Sequence, residues 1–420
     1  MGPTSSWPIE SLLDPVPHYP PRPFWRTQVD LPTDQTPIES APVDLEPYSL
    51  TWRARFSNWL YSAEFADVIL PTLGIRLALL LFAPLSVILL GGSGAHPALP
   101  LNIWNIWDAP RYLAMAQTGY SLADQASSSV LLPLYPLLLR AGSLLLPALV
   151  AGLLLSLLFS LAAATGLYRL ARNDGGSRPV ARAAVLALNI FPTAFFLVPP
   201  YTEPLFLALV IWTFWRARQG HWITAGLLGL AATLTRIPGL LILPALLFEL
   251  RGHRRSPRML GLALIGLGPL IYLAINWQVY GDPLFFMGVE RTLFTTSTVA
   301  PWTVLTNLVH SVAGLAGDYN WAILYGAPLV ALILLALVVA WSWRSRRSHA
   351  SYLVYAGLSL IFLSSLSWPI SVPRYLLAVF PLFLMLGGLA RSRWATPLAV
   401  GSVLLLGLFT SQFVLGHWIF

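Results

Sequence analysis

Apolar residues in this chain come in long, nearly unbroken runs, and polar residues are confined to the intervals between them. The runs lie at roughly 68–92, 148–168, 183–199, 204–215, 222–235, 238–250, 259–276, 321–343, 351–368, 374–390 and 395–415. A helix needs about 20 residues to cross a bilayer's hydrocarbon core. The pattern therefore predicts an all-α, polytopic membrane protein with about eleven transmembrane helices. Residues 1–66 break the pattern. Up to about residue 50 they are rich in Pro, Ser, Thr and acids, as in Pro20-Pro21-Arg22-Pro23, and read as a polar cytosolic tail. Trp52, Phe56, Trp59 and Leu60 then recur at helical spacing beside Arg53 and Arg55, as in a helix lying in the membrane interface. Residues 67–420 form the membrane domain.

Charge orients this frame. Of 420 residues 56% are hydrophobic and 10% charged, which excludes a soluble globular domain. All 25 basic residues are arginine, and the net charge is +8. Arg169, Arg172, Arg178 and Arg182 fall in one interval. Arg216 and Arg218, then Arg251 to Arg258, Arg344 to Arg347, and Arg391 and Arg393 fall in alternate later ones. The positive-inside rule puts these intervals in the cytosol. Basic charge is thus distributed over loops rather than gathered into a nucleic-acid patch, and no nucleic-acid partner is expected. Two long outer loops result, about 93–147 and 277–320. Val130 to Pro147 is apolar enough to span, but spanning would move Arg169 to Arg182 outside, so it reads as a re-entrant or surface-lying outer segment. The N-terminus lacks the pattern of a signal peptide, so the first span is expected to serve as the targeting signal. The absence of cysteine excludes disulfide and thiolate chemistry.

Candidate chemistry collects at the outer ends of the runs: Asp108, Glu203, Arg236, Asp282, Glu290, Arg291 and Arg374. Charges at membrane depth are costly and mark function by default. Pro110 suits the first turn of a helix and Gly119 its end, so residues 109–118 read as a short outer-face helix opening at Asp108, with Trp104 and Trp107 at the interface. Two readings of Asp108 stand: a helix cap, or a functional carboxylate. Glu203 and Arg236 likewise have ordinary helix-dipole readings. Arg374 has none, because it opens a descending helix at the positive end of the dipole. It needs an anionic partner, for which a phosphate is a good candidate. A carboxylate to accept a proton, arginines to hold phosphate and interfacial aromatics describe group transfer from a lipid-linked phosphate. No Walker A, GxGxxG or HExxH pattern occurs. Asp108, Asp124, Glu203 and Asp282 could supply oxygen ligands to a divalent ion, but their spacing is not diagnostic, and neither metal nor cofactor is expected.

Several motifs resemble those of the PIG-V-type mannosyltransferases, including bacterial members, of the glycosyltransferase C superfamily. They are Trp107-Asp108-Ala109 with Tyr112 and Gly119-Tyr120, Leu132-Pro133-Leu134-Tyr135-Pro136, and Phe191-Pro192-Thr193-Ala194-Phe195-Phe196 leading to Tyr201-Thr202-Glu203. Ala232 to Arg236, Tyr280-Gly281-Asp282-Pro283-Leu284 with Pro301-Trp302, and Pro373-Arg374-Tyr375 follow in the family's order. The resemblance implies an integral membrane enzyme that takes mannose from a polyprenyl- or dolichyl-phosphate carrier, with Asp108 as general base and inversion at the anomeric carbon. Thr202 stands where the family has serine, Leu131-Leu132-Pro133 replaces a frequent Phe-Phe-Pro, and the long tail is outside the family pattern. Motifs and topology together nominate Trp107, Arg111, Tyr112, Tyr201, Glu203, Arg236, Asp282, Arg374 and Tyr375 as substrate-binding. The expected partners are the lipid-phosphate sugar donor, a lipid or glycan acceptor and the bilayer. The expected location is a prokaryotic plasma membrane with the active site on its outer face. The rival reading is a lipid-carrier or solute transporter, against which the sequence has no evident inverted repeat.

Overall fold

The computed structural model describes residues 63–91, 101–121, 128–250, 257–293, 297–314, 321–345 and 349–420. The polar tail and nearly all of the expected interfacial helix at 52–63 lie outside these residues. Among the described residues the regular structure is helical, apart from one antiparallel bridge between Thr298 and Leu366. The first helix, α1, runs Phe65–Leu90, and the long loop after it holds α2 (Ala109–Thr118) and α3 (Leu134–Ser143). Then follow α4 (Ala148–Asn173), α5 (Arg178–Ile190), α6 (Glu203–Arg218), α7 (Trp222–Thr233), α8 (Ile237–Glu249) and α9 (Met259–Tyr280). The second long loop carries α10 (Phe285–Leu293) and α11 (Pro301–Gly314). The chain ends with α12 (Ala322–Arg344), α13 (Ala350–Ser364), the pair α14 (Pro369–Ala378) and α15 (Pro381–Gly388), and α16 (Ala395–Val414).

Five of these helices, α1, α4, α9, α12 and α16, are long and apolar enough to cross a membrane. The α14–α15 pair, bent by 69°, makes a sixth if it is one broken span. Several such helices with apolar outer faces make this an integral membrane protein. Other predicted runs form shorter helices, such as the 12 residues of α7 and the 15 of α13. Proline sets two of the breaks. The run expected over 183–199 stops at Ile190, because Pro192 drives Phe191 out of helical backbone, to ψ 141°. The apolar stretch after Trp222 is interrupted at Arg236, which is extended at φ −152° and ψ 140°, and Pro238 opens the next helix. Pro133 to Pro147 yields only the ten-residue α3, about 15 Å long against a core of about 30 Å.

Small and polar side chains join the helices, as expected where lipid removes any hydrophobic drive between them. Ser156 of α4 donates to the Pro199 carbonyl (2.7 Å), and Trp212 Nε1 of α6 donates to the Ala162 carbonyl (2.8 Å). Asn189 of α5 donates to Thr72 of α1 at 3.0 Å. Ser86 of α1 meets Ser411 of α16 at 3.0 Å, and Gly407 lies against Phe82. Both pairs have the same sequence offset of 325, so α1 and α16 run parallel. An aromatic group of Trp104, Phe195, Phe196, Tyr201 and Phe413 packs under the start of α2 and gives the polar residues there a rigid floor.

Candidate active site

The backbone ahead of α2 is strained where Asp108 is presented. Trp107 sits at φ 58°, a costly region for a bulky side chain. Tyr201, fully buried, holds the strained residue from both sides. Its hydroxyl donates to the Ile106 carbonyl (3.1 Å) and accepts from the Asp108 amide (3.2 Å). The Trp107 ring packs edge-on against Trp418, centroid to centroid at 4.9 Å. Asp108 then occupies the cap position of α2, with Pro110 in the first turn and Gly119 closing the helix at φ 71°. Its side chain nevertheless makes no capping bond. Instead Asp108 Oδ2 accepts from Arg374 Nη1 at 2.6 Å.

Arg374 is the hub. It is 8% exposed, and its Nε donates to Glu203 Oε1 at 2.5 Å while its guanidinium lies over the rings of Phe196 (4.8 Å) and Tyr201 (4.7 Å). Glu203, 5% exposed, takes Arg236 Nη1 on the same oxygen, and Arg236 also donates to Thr202 Oγ1 (3.1 Å) and stacks over Tyr375 at 4.8 Å. Two arginines and two carboxylates thus neutralise one another in a largely dry setting, where removing one partner would strand a buried charge. Glu203 Oε2 is buried with no hydrogen-bond partner among the described residues. Tyr112 extends the network, its hydroxyl 3.4 Å from Thr202 Oγ1 and its ring against Tyr135. Burial and the nearby carboxylates push the Tyr112 phenol up to about 12, so it stays protonated at neutral pH.

Beside this cluster lies a narrow, partly open pocket of about 30 Å³. Glu203, Arg236, Arg374 and Tyr375 line its polar end, and Phe206, Leu241, Phe362, Leu363 and Leu377 form apolar walls. Asp108 does not line the pocket; it touches the pocket wall at Arg374. A charged end joined to an apolar slot fits an amphiphile whose anionic group meets the arginines.

The fold brings together Asp108, Tyr112, Tyr201, Glu203, Arg236, Arg374 and Tyr375 from the nominated set, with Trp107 shaping the turn. Arg111 lies one turn into α2, close enough to Glu290 of α10 for their charges to interact. Asp282 is exposed and its Oδ1 accepts from the Leu284 amide (2.8 Å), the bond of a local turn rather than of this cluster. The environment of Arg374 differs from the expectation. It sits in the short helical turn Val372–Tyr375 of a broken pair, not at the head of a long helix, and its anionic partners come from the chain itself. Phe196, Thr202 and Trp418 support the site but carried no assigned role in the sequence. The first two lie within noted motifs, whereas nothing near Trp418 marks it. No protein-family model matches this chain, and no curated protein is recognisably similar to it.

Proposed function

We propose that this chain is a membrane glycosyltransferase that moves mannose, or a closely related hexose, from a polyprenyl-phosphate carrier to an acceptor on the non-cytosolic face. The observation that carries the reading is the Asp108–Arg374–Glu203–Arg236 cluster at the end of an apolar pocket. The prenyl chain occupies the slot and the phosphate meets Arg236 and Arg374. The acceptor hydroxyl oxygen attacks the anomeric carbon, the bond from that carbon to the phosphate oxygen breaks, and the phosphate leaves with the electron pair. Asp108 takes the hydroxyl proton, and attack opposite the leaving group inverts the anomeric centre. Arginine stabilises the charge that grows on the phosphate. Because Arg374 already binds Asp108, an arriving phosphate competes for that arginine and frees the carboxylate to act as base. The motif resemblance to the PIG-V-type mannosyltransferases agrees with this assignment.

The crossing number belongs to the same proposal. Eleven passages arise if the short helices α5, α6, α7, α8 and α13 and the bent α14–α15 pair each traverse the bilayer. The parallel α1 and α16 support an odd count. With the arginine-rich intervals inside, the Asp108 cluster faces outward, in a prokaryotic plasma membrane.

One observation favours a transporter instead: the broken α14–α15 pair carries Arg374, and discontinuous helices hold substrate in many carriers. Transfer of radiolabelled mannose from a short-chain polyprenyl-phosphate donor to membrane lipid extract separates the two. Wild type is expected to form labelled lipid, and Asp108→Asn to lose about 10³-fold in rate with normal membrane insertion. Donor binding without product, together with passage of the donor across vesicles, would establish the carrier reading.

A further inference from the structure

A second cavity, of about 350 Å³, lies between α11, the start of α12 and the segment Ser367–Ile370. The proposed reaction does not use it. Asn307, His310 and Ser311 of α11, Tyr325 of α12 and Trp368 line it, with no arginine or carboxylate among the described lining residues. The side chains of Asn307, His310, Ser311 and Tyr325 have no hydrogen-bond partner among the described residues. Trp368 is 47% exposed and offers its ring to the opening. Uncharged donors and acceptors beside an open indole suit a ligand with many hydroxyls and one apolar face. A pyranose has that chemistry: its ring C–H groups pack on an aromatic and its hydroxyls take bonds from amide, imidazole and hydroxyl groups.

The placement narrows the ligand further. Helix α11 carries an exposed apolar stripe, Trp302, Leu305 and Val309, on the side roughly opposite Asn307 and Ser311 of the cavity. Such a helix lies in the membrane interface with its stripe toward lipid. Its cavity side is held by the Thr298–Leu366 bridge, where the Val299 amide donates to the Ser365 carbonyl (2.9 Å). The covalent path to the first pocket is short: Trp368, Pro369 and Ile370 line the second cavity, and Arg374, Tyr375 and Leu377 to Val379 line the first. We propose that the second cavity binds a neutral sugar, a pyranose unit of the membrane-anchored acceptor. Its assignment to the acceptor rests on the transfer reading above; its assignment to a sugar does not.

The test uses full-length protein in nanodiscs, with mannobiose as the neutral probe and inorganic phosphate as the anionic one, followed by calorimetry and saturation-transfer NMR. Mannobiose is expected to bind wild type. Trp368→Ala should weaken it by about tenfold and His310→Ala by a smaller factor, while Arg374→Ala leaves it unchanged. Both cavity residues are exposed, so neither change threatens the fold. In the transfer assay Trp368→Ala should raise the acceptor KM and leave the donor KM in place. Mannobiose binding that ignores Trp368 and His310, or phosphate that competes with it, would overturn the proposal, as would a change in donor KM alone. If wild type makes product without binding mannobiose, this inference falls and the transfer reading stands. If mannobiose binds with the expected variant pattern but no product forms, the sugar site stands and the transfer reading falls.

Discussion

The two ends of α6 each carry a cluster of arginine and carboxylate, and they are built on different logic. At the C-terminal end Arg218 lies 3.5 Å from Asp174 and 3.4 Å from Glu249, under the ring of Tyr352 at 4.6 Å. The same two carboxylates take hydroxyl bonds from Tyr352 and Ser351, and His349 approaches Asp174 at 3.4 Å. A cation in the last turn of a helix complements its dipole, and these contacts tie α4, α6, α8 and α13 together. At the other end, Asp108 stands at a cap position without capping, and Glu203 keeps one buried oxygen unpaired beside an open pocket. The first cluster also keeps buried atoms without a hydrogen-bond partner among the described residues, Asp174 Oδ1 and Arg218 Nε and Nη1, but its charges hold helices together. The second differs in leaving Asp108 uncapped and in facing a pocket, which is where function is expected.

Substituting the two arginines breaks this comparison most directly. Arg374→Ala should raise the donor KM and lower kcat/KM by about 10²-fold or more, with less effect on use of the acceptor. Unchanged donor dependence would remove Arg374 from the phosphate site. Arg218→Ala, like Arg374→Ala, should cost about 3 kcal/mol or more of stability by stranding buried carboxylates, but it should leave turnover per folded molecule intact. Loss of turnover in folded Arg218→Ala protein would mean that the two clusters are coupled through α6.

Smaller changes sharpen the picture. Tyr201→Phe removes the bridge between the Ile106 carbonyl and the Asp108 amide, a loss of about 1–2 kcal/mol. On the proposed reading of Asp108 as the base, which that bridge would position, the expected readout is a reduced kcat with an unchanged donor KM. The smallest effect is set by pH at Glu290. Burial holds its carboxyl above the ordinary value of 4.5, with Arg111 opposing. The protonated form favours the fold, and that contribution is lost as pH rises through the raised value. Glu290→Gln should therefore melt about 2 °C higher than wild type at neutral pH, with the difference vanishing below the ordinary glutamate range.

The sequence was most informative where a local rule decides the outcome. Pro110 and Gly119 bracket α2 at the bounds read from the chain, because proline at a helix start and a positive-φ glycine at its end act within a few residues. The long apolar runs likewise became helices of membrane length in α1, α4, α9, α12 and α16. Residues 183–199 and 222–250 were harder to divide, since hydrophobicity marks burial and does not say where Pro192 or an extended Arg236 will end a helix. The partner of Arg374 was not legible. Its need for an anion follows from position, but Asp108 lies 266 residues away and Glu203 171, and only packing brings them within hydrogen-bond reach.

The sequence by itself determined that this protein lives in a membrane and which acids and arginines stand at helix ends. Those properties follow from transfer free energy and nearest-neighbour backbone preference, which each residue carries with it. Tertiary structure alone decided that Asp108 abandons its cap for Arg374, that Tyr201 holds the strained Trp107 turn, and that Trp368 and α11 enclose a second cavity. These depend on the relative placement of distant segments, which is set by the packing of whole helices rather than by any stretch of the chain.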